Sequence, residues 1–90
     1  MVSDIKKGGS MNPERLQLKG LYAEAKKTYR ALDTEASGLI LLLRSLLNPY
    51  EEVLLLDMAK IVSITKRLNT VQSELKRFAE KIKKLEAELE

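Results

Sequence analysis

The chain has 90 residues, of which 44% are hydrophobic and 32% charged, and it carries a net charge of +3. This length allows at most one small domain, and the composition is too apolar for a disordered protein. The absence of Cys and His removes disulfides, thiolate nucleophiles, the commonest general base and the commonest metal ligand. Leu, Ala, Glu, Lys and Arg dominate the sequence, which is typical of long helices, so an all-α fold is favoured.

Residues 1–11 are predicted to be a flexible N-terminal leader, because the segment lacks the apolar run of a signal peptide. The most apolar stretch of the chain, Leu39–Leu47, is interrupted by Arg44. It is also far shorter than the roughly 20 residues that span a bilayer. We therefore expect a soluble, cytoplasmic protein with no membrane partner.

Two helix start signals of the same form organise residues 12–90 into a helical hairpin. Each is an Asn-Pro pair, with Asn at a candidate N-cap and Pro at the first helical position. Asn accepts hydrogen bonds from free first-turn amides, and Pro loses nothing there because its nitrogen would have no partner. The signals predict helices over 13–47 and 50–89, joined by a tight turn at 48–49.

Regular apolar spacing supports both helices and predicts how they pack. Steps of four and three residues alternate along each helix, as in the seam of a left-handed coiled coil. The first helix has Leu18, Tyr22, Ala25, Tyr29, Leu32, Ala36, Leu39, Leu43 and Leu46 on this seam. The second has Ile61, Ile64, Leu68, Val71, Leu75, Phe78, Ile82, Leu85 and Leu89. Because a short loop makes the helices antiparallel neighbours, we predict an antiparallel two-helix hairpin of the coiled-coil type.

Two positions leave alternatives open. Gly38 lies inside the first predicted helix, where glycine costs roughly 1 kcal/mol relative to Ala. Because the seam spacing passes through it unchanged, a single helix is expected, and a break is the alternative.

Asp57 falls on the second seam when the spacing of that seam is extended toward the turn, and a buried polar residue there could fix register or partner. The alternative that we favour is a local phase shift that turns Met58 inward and Asp57 toward water.

The region around the predicted turn is more apolar than one seam can bury. Residues 39–47 are apolar at seven of nine positions, and residues 53–64 at nine of twelve. A helix that is apolar most of the way round is usually buried most of the way round, so we predict a homodimer with a four-helix bundle. A different protein partner, or leucines simply exposed to water, are the alternatives. The expected dimer interface consists of Leu41, Leu42, Leu55, Leu56, Met58 and Val62.

No group of residues indicates an enzyme or a cofactor site. Carboxylates such as Glu51, Glu52 and Asp57 have neither a partner base nor metal-ligand spacing. The two glutamates are explained by their place in the first turn of a helix. The Gly-Gly-Ser segment at 8–10 lacks the Lys-Ser/Thr of a phosphate-binding loop. We therefore expect no catalytic activity, no metal and no cofactor.

Basic residues suggest nucleic-acid binding as an alternative function, since cations on a helix face can track phosphates. The candidates are Lys26, Lys27, Arg30, Lys76, Arg77, Lys83 and Lys84. Acidic residues are interleaved with them, as on an ordinary solvated helix face. Tyr22 and Tyr29 lie on the seam, where they fill the core rather than stack on bases. We therefore predict a non-enzymatic scaffold or adaptor that oligomerises, with a small dimeric nucleic-acid-binding regulator as the alternative.

Overall fold

The computed structural model describes residues 13–90 and shows two long helices folded against each other. Helix α1 covers Pro13–Leu46, a short 3-10 turn covers Val53–Leu55, and helix α2 covers Met58–Leu89. The helices are antiparallel and pack together, and the described residues contain no strand. The predicted all-α antiparallel hairpin is confirmed, whereas the leader predicted for residues 1–11 lies outside the described part of the chain.

The buried side chains of the hairpin belong to the predicted seam. Every seam position in both helices is buried or partly buried. Val71 is fully buried and forms the centre of the core with Leu32 and Ala36. The partly buried side chains around this cluster are Leu39, Leu68, Leu75 and Phe78. The apolar period therefore identified the core, because each of two paired helices buries one stripe.

Hydrogen bonds between the helices fix their register. Three such pairs, at 2.6–3.0 Å, are Arg67 with Glu35, Tyr22 with Glu86, and Arg15 with the Leu89 carbonyl. The last two lie toward the open end of the hairpin, where α1 begins and α2 ends. In this register the last turn of α1 is level with the first turn of α2.

Helix α2 begins later than predicted. The sequence predicted its start at residue 50 after a turn at 48–49, whereas the helix begins at Met58. A helix over 50–57 would project past the end of α1, where it has no helix to pack against, and most helical stability in proteins comes from such packing. Residues 47–57 form the connection instead, and we call this segment the tip.

Asn48 explains why the second start signal did not begin a helix. Its side-chain oxygen accepts a hydrogen bond from the Tyr50 backbone N–H at 3.0 Å. Its carbonyl accepts another from the Glu51 N–H at 3.2 Å. Asn48 therefore closes a turn around Pro49. An Asn-Pro pair favours such a turn as well as the start of a helix.

Asp57 is the N-cap of α2 and not a member of its seam. Its carboxylate accepts a hydrogen bond from the Lys60 backbone N–H at 3.1 Å. Both sequence interpretations were wrong in placing Asp57 within the helix. It faces water, as the phase-shift alternative required, but Met58 is 50% exposed rather than turned inward. An acidic N-cap is favourable because the helix dipole is positive at this end.

Helix α1 continues through Gly38 without a break, so the expected single helix is confirmed. A Cβ atom added at Gly38 would meet no other atom within 4 Å. The glycine is therefore not needed for a close approach between the helices. Its neighbours on the seam, Ala36 and Leu39, belong to the packed core, which offsets the helix-propensity cost of one glycine.

Candidate interaction surface

Exposed apolar side chains are concentrated at one end of the hairpin. Ten of the twelve exposed large hydrophobic residues among 13–90 lie between positions 40 and 62. We call these ten the apolar end: Ile40, Leu41, Leu42, Leu47, Tyr50, Val53, Leu54, Leu55, Met58 and Val62. The other two, Leu16 and Leu21, lie near the open end. Leucines exposed by chance would be scattered along both helices, whereas a cluster of this kind is typical of an interaction surface.

Five of the six residues predicted for the dimer interface are exposed in the single chain. They are Leu41, Leu42, Leu55, Met58 and Val62, with exposures of 39–66%. Leu56 is partly buried and offers less surface to a partner. The predicted residues share one end of the hairpin but not one face. Helix periodicity sets Leu41 on the outer side of α1, and Met58 and Val62 on a different side, on α2.

The three most exposed apolar side chains lie in the tip and were not among the residues predicted for the interface. Tyr50 and Leu54 are 95% and 94% exposed, and Val53 is 76% exposed. The prediction placed these residues inside a helix. The available signal was the run of four apolar residues at 53–56, since a helix cannot turn four consecutive side chains toward one seam.

One side of the hairpin carries a shallow groove beside the apolar end. The groove has a volume of about 410 Å³ and is lined by Ala36, Ile40, Thr65, Leu68, Asn69, Gln72 and Leu75. A second hollow, of about 400 Å³, shares Thr65 and Asn69 with it and is otherwise lined by Ile61, Val62 and Lys66. The two shared residues therefore form a low ridge of α2 between two hollows. We call this side of the hairpin the groove face.

The groove face changes in character along α2. Residues three and four apart share one stripe of a helix. From the tip toward the open end, this stripe consists of Met58, Val62, Thr65, Asn69, Gln72, Lys76, Ala79, Lys83, Glu86 and Glu90. It is therefore apolar near the tip, uncharged through Gln72, basic at Lys76 and Lys83, and acidic at its end. The Thr65 hydroxyl donates to the Ile61 carbonyl at 2.7 Å, so its hydrogen is bonded within the helix already.

Charge differs between the tip and the open end of the hairpin. Residues 45–59 contain three exposed carboxylates and no basic side chain. The carboxylates are those of Glu51, Glu52 and Asp57. Toward the open end, the groove face carries Lys76 and Lys83 on α2 and Lys26 and Arg30 on α1, with Asp33, Glu86 and Glu90 as the acidic residues on the same face. The tip itself is therefore acidic, and Arg44 and Lys60 flank it in the adjoining helix turns.

The seven residues of the candidate nucleic-acid surface all lie toward the open end, but they do not share one face. Helix periodicity sets four on the groove face, namely Lys26, Arg30, Lys76 and Lys83. Arg77 and Lys84 lie on the opposite side of the hairpin, and Lys27 lies on the outer side of α1. A single phosphate backbone cannot contact all seven at once.

Two of these basic residues contact aromatic rings of their own chain. The Lys26 Nζ atom lies 5.0 Å from the centre of the Tyr22 ring, and the Arg77 guanidinium lies 4.7 Å from that of Phe78. Such contacts are attractive because the face of an aromatic ring is electron-rich. Both rings are partly buried seam residues, so neither presents a free face for stacking on a base.

An ion pair ties the helices together on the side opposite the groove face. The guanidinium of Arg67 lies 2.6 Å from the Glu35 carboxylate and donates two hydrogen bonds to it. These hydrogen bonds lower the pKa of Glu35, and the carboxylate in turn raises the pKa of Arg67. The pair thus links the two helices on the side opposite the groove face and leaves the groove face uncovered.

No family model, curated protein or solved structure matches this chain. Among residues 13–90, no group of three or more acidic side chains is placed to hold a metal ion. Neither α1 nor α2 has an apolar stretch that is long enough to cross a membrane.

Proposed function

We propose that this protein is a non-enzymatic interaction module that self-associates through its apolar end. The observation that carries the proposal is the clustering of ten exposed apolar side chains between positions 40 and 62. Removal of such surface from water is the main favourable term in most protein association. Two hairpins joined at this end form a four-helix bundle that holds two open ends apart, as a scaffold or adaptor requires.

The size of the apolar end supports this proposal. Its ten side chains are each 39–95% exposed and lie together at one end, whereas exposed hydrophobic residues of a monomeric soluble protein are normally scattered singly. A stable interface of standard size buries roughly 800 Å² from each partner. The core of the single hairpin is small, with seven buried hydrophobic residues. Association therefore also supplies the burial that a short two-helix chain lacks.

The decisive test is the solution mass, measured by light scattering at micromolar concentration. The wild type should have the mass of a dimer. The double variant Leu54→Glu/Leu55→Glu should have the mass of a monomer, because an interface would bury its carboxylates without partners.

The chain offers a matched control at its open end. Leu16 and Leu21 are 48% and 44% exposed. The variant Leu16→Glu/Leu21→Glu adds the same charges outside the apolar end and should remain a dimer. A monomeric wild type, or a dimer that survives the tip substitutions, contradicts the proposal.

Binding of nucleic acid is a second candidate function. It is favoured by four basic residues that share the groove face, namely Lys26, Arg30, Lys76 and Lys83. Cations on one face can contact phosphates together, whereas those on opposite faces cannot. The two functions are compatible, because the basic residues lie toward the open end and leave the apolar end free for self-association.

A further inference from the structure

The geometry points to an antiparallel dimer in which the tip of each copy occupies the groove of the other. This inference rests on the proposed self-association and adds to it the face, the direction and the register of the partner. The occupant of the groove is the 3-10 turn Val53–Leu55 of a second copy of this chain. The three side chains of this turn are 66–94% exposed, and the groove that receives them is lined mainly by apolar and uncharged residues.

Distances along α2 allow both tips to be seated at once. Met58 and Asn69 are eleven residues apart, which is about 17 Å along a helix. A two-fold axis close to Val62, midway between tip and groove, therefore brings each tip to the groove of the other copy. The same axis sets Val62 of the two copies against each other and leaves Met58 of each copy about 6 Å from the axis along the helix, so their half-exposed side chains lie near the centre of the interface. An interface of this kind is isologous, which is the commonest symmetry of protein dimers.

The charges of the hairpin favour the antiparallel dimer over a parallel one. In a parallel dimer joined by the same face, the basic residues of both open ends (Lys26, Arg30, Lys76 and Lys83) would face each other, and the acidic residues on that face (Asp33, Glu86 and Glu90) are fewer. Such like-charge contacts are costly in an interface. In the antiparallel register, Lys66 of one copy lies opposite Asp57 of the other, and the basic ends point away from each other. A lipid surface suits the tip less well, because anionic headgroups repel its three carboxylates, which outnumber the flanking Arg44 and Lys60.

The polar residues of the groove can be buried in the dimer interface without leaving hydrogen-bonding groups unpaired. The Thr65 hydroxyl is hydrogen-bonded to its own helix. Asn69 and Gln72 have exposed side chains with amide donors, which can bond to backbone carbonyls of the partner's tip. Burial of polar groups is tolerated when each finds a hydrogen-bond partner. The uncharged part of the α2 stripe is therefore suited to a protein backbone as its neighbour.

Cysteine cross-linking tests the arrangement, since the 90 residues contain no native cysteine. Three single variants are needed: Leu54→Cys in the tip, and Asn69→Cys and Gln72→Cys in the groove. All three positions are exposed, so the fold should be retained, which circular dichroism checks. A disulfide requires the two Cα atoms to lie within about 7 Å. Mixtures of the tip variant with either groove variant should therefore form a cross-linked dimer under mild oxidation, and each variant alone should not.

Light scattering on the same samples separates this inference from the proposed function. If the protein is a dimer and Leu54→Cys cross-links with itself, the tips meet and the antiparallel arrangement is overturned. A dimer that gives no tip-to-groove cross-link with either groove variant overturns it as well. Self-association stands in both of these cases. If the chain is a monomer, the proposed function and the arrangement fail together.

Discussion

Arg67 and Glu35 show how one pair of side chains can hold two helices in register. Residues on the edges of a helical seam reach across to the neighbouring helix, and an arginine matches a carboxylate with two parallel hydrogen bonds. Both side chains remain partly exposed, at 47% and 38%. The pair therefore contributes to orientation more than to burial.

The contribution of this pair to stability should depend on pH. Arg67 lowers the pKa of Glu35 below its ordinary value of 4.5, so the folded state favours the ionised carboxylate. This stabilisation is present above the ordinary pKa and is lost as the pH falls through the lowered pKa. A double-mutant cycle with Glu35→Gln and Arg67→Gln, followed by melting temperature, should show favourable coupling at pH 7. At pH 3 the coupling should be smaller, and equal coupling at both values would contradict the charge-based account.

At the scale of the elements, the seam was predictable and the start of α2 was not. Periodic apolar spacing depends on long stretches of sequence, so one exception does not obscure it. A helix start depends on a few local hydrogen bonds. The Asn-Pro pair at 48–49 is compatible with both a cap and a turn, and the structure has the turn.

Asp57 should therefore act as a cap in unfolding experiments. Loss of an N-cap carboxylate costs about 1 kcal/mol, so Asp57→Ala should lower the free energy of unfolding by that amount. Asp57→Asn is the matched control and should stay close to the wild type, because Asn caps a helix about as well. A seam role predicts instead that Asp57→Leu raises the melting temperature. Chemical denaturation and thermal melts of the three variants distinguish the two roles.

At the scale of the whole molecule, the hairpin separates two kinds of surface. Its tip is apolar and acidic, the adjoining helix turns are apolar with one basic residue each, and basic residues outnumber acidic ones on the groove face toward the open end. Apolar association and phosphate binding respond differently to salt, because only the second releases bound counterions. Salt dependence therefore separates the two candidate functions.

If nucleic acid binds, light scattering with an added oligonucleotide should show a mass increase that fades steeply between about 50 and 200 mM salt. The protein dimer itself should persist over this range. Lys76→Glu/Lys83→Glu on the groove face should abolish the increase. The control Arg77→Glu/Lys84→Glu makes the same charge change on the opposite side and should reduce it less. Equal losses in both variants would exclude a groove-face site, and no increase at low salt would exclude the function.

The sequence by itself determined the two helices, the residues of their seam and their antiparallel packing. A 3.5-residue apolar period specifies which stripe of each helix is buried. The antiparallel direction was predicted correctly, although from a two-residue turn that is in fact the longer connection 47–57. It also located the apolar excess near the turn, because no single seam can bury so many consecutive apolar residues.

Only the tertiary structure decided where α2 begins and which apolar side chains remain in water. Helix α2 can pack against α1 only as far as the end of α1. The residue of α2 that lies level with this end depends on the register between the two helices rather than on any local signal. For the same reason, Tyr50, Val53 and Leu54 lie in an exposed tip instead of on a helix. The groove is likewise a property of two helices together, since residues of both α1 and α2 line it.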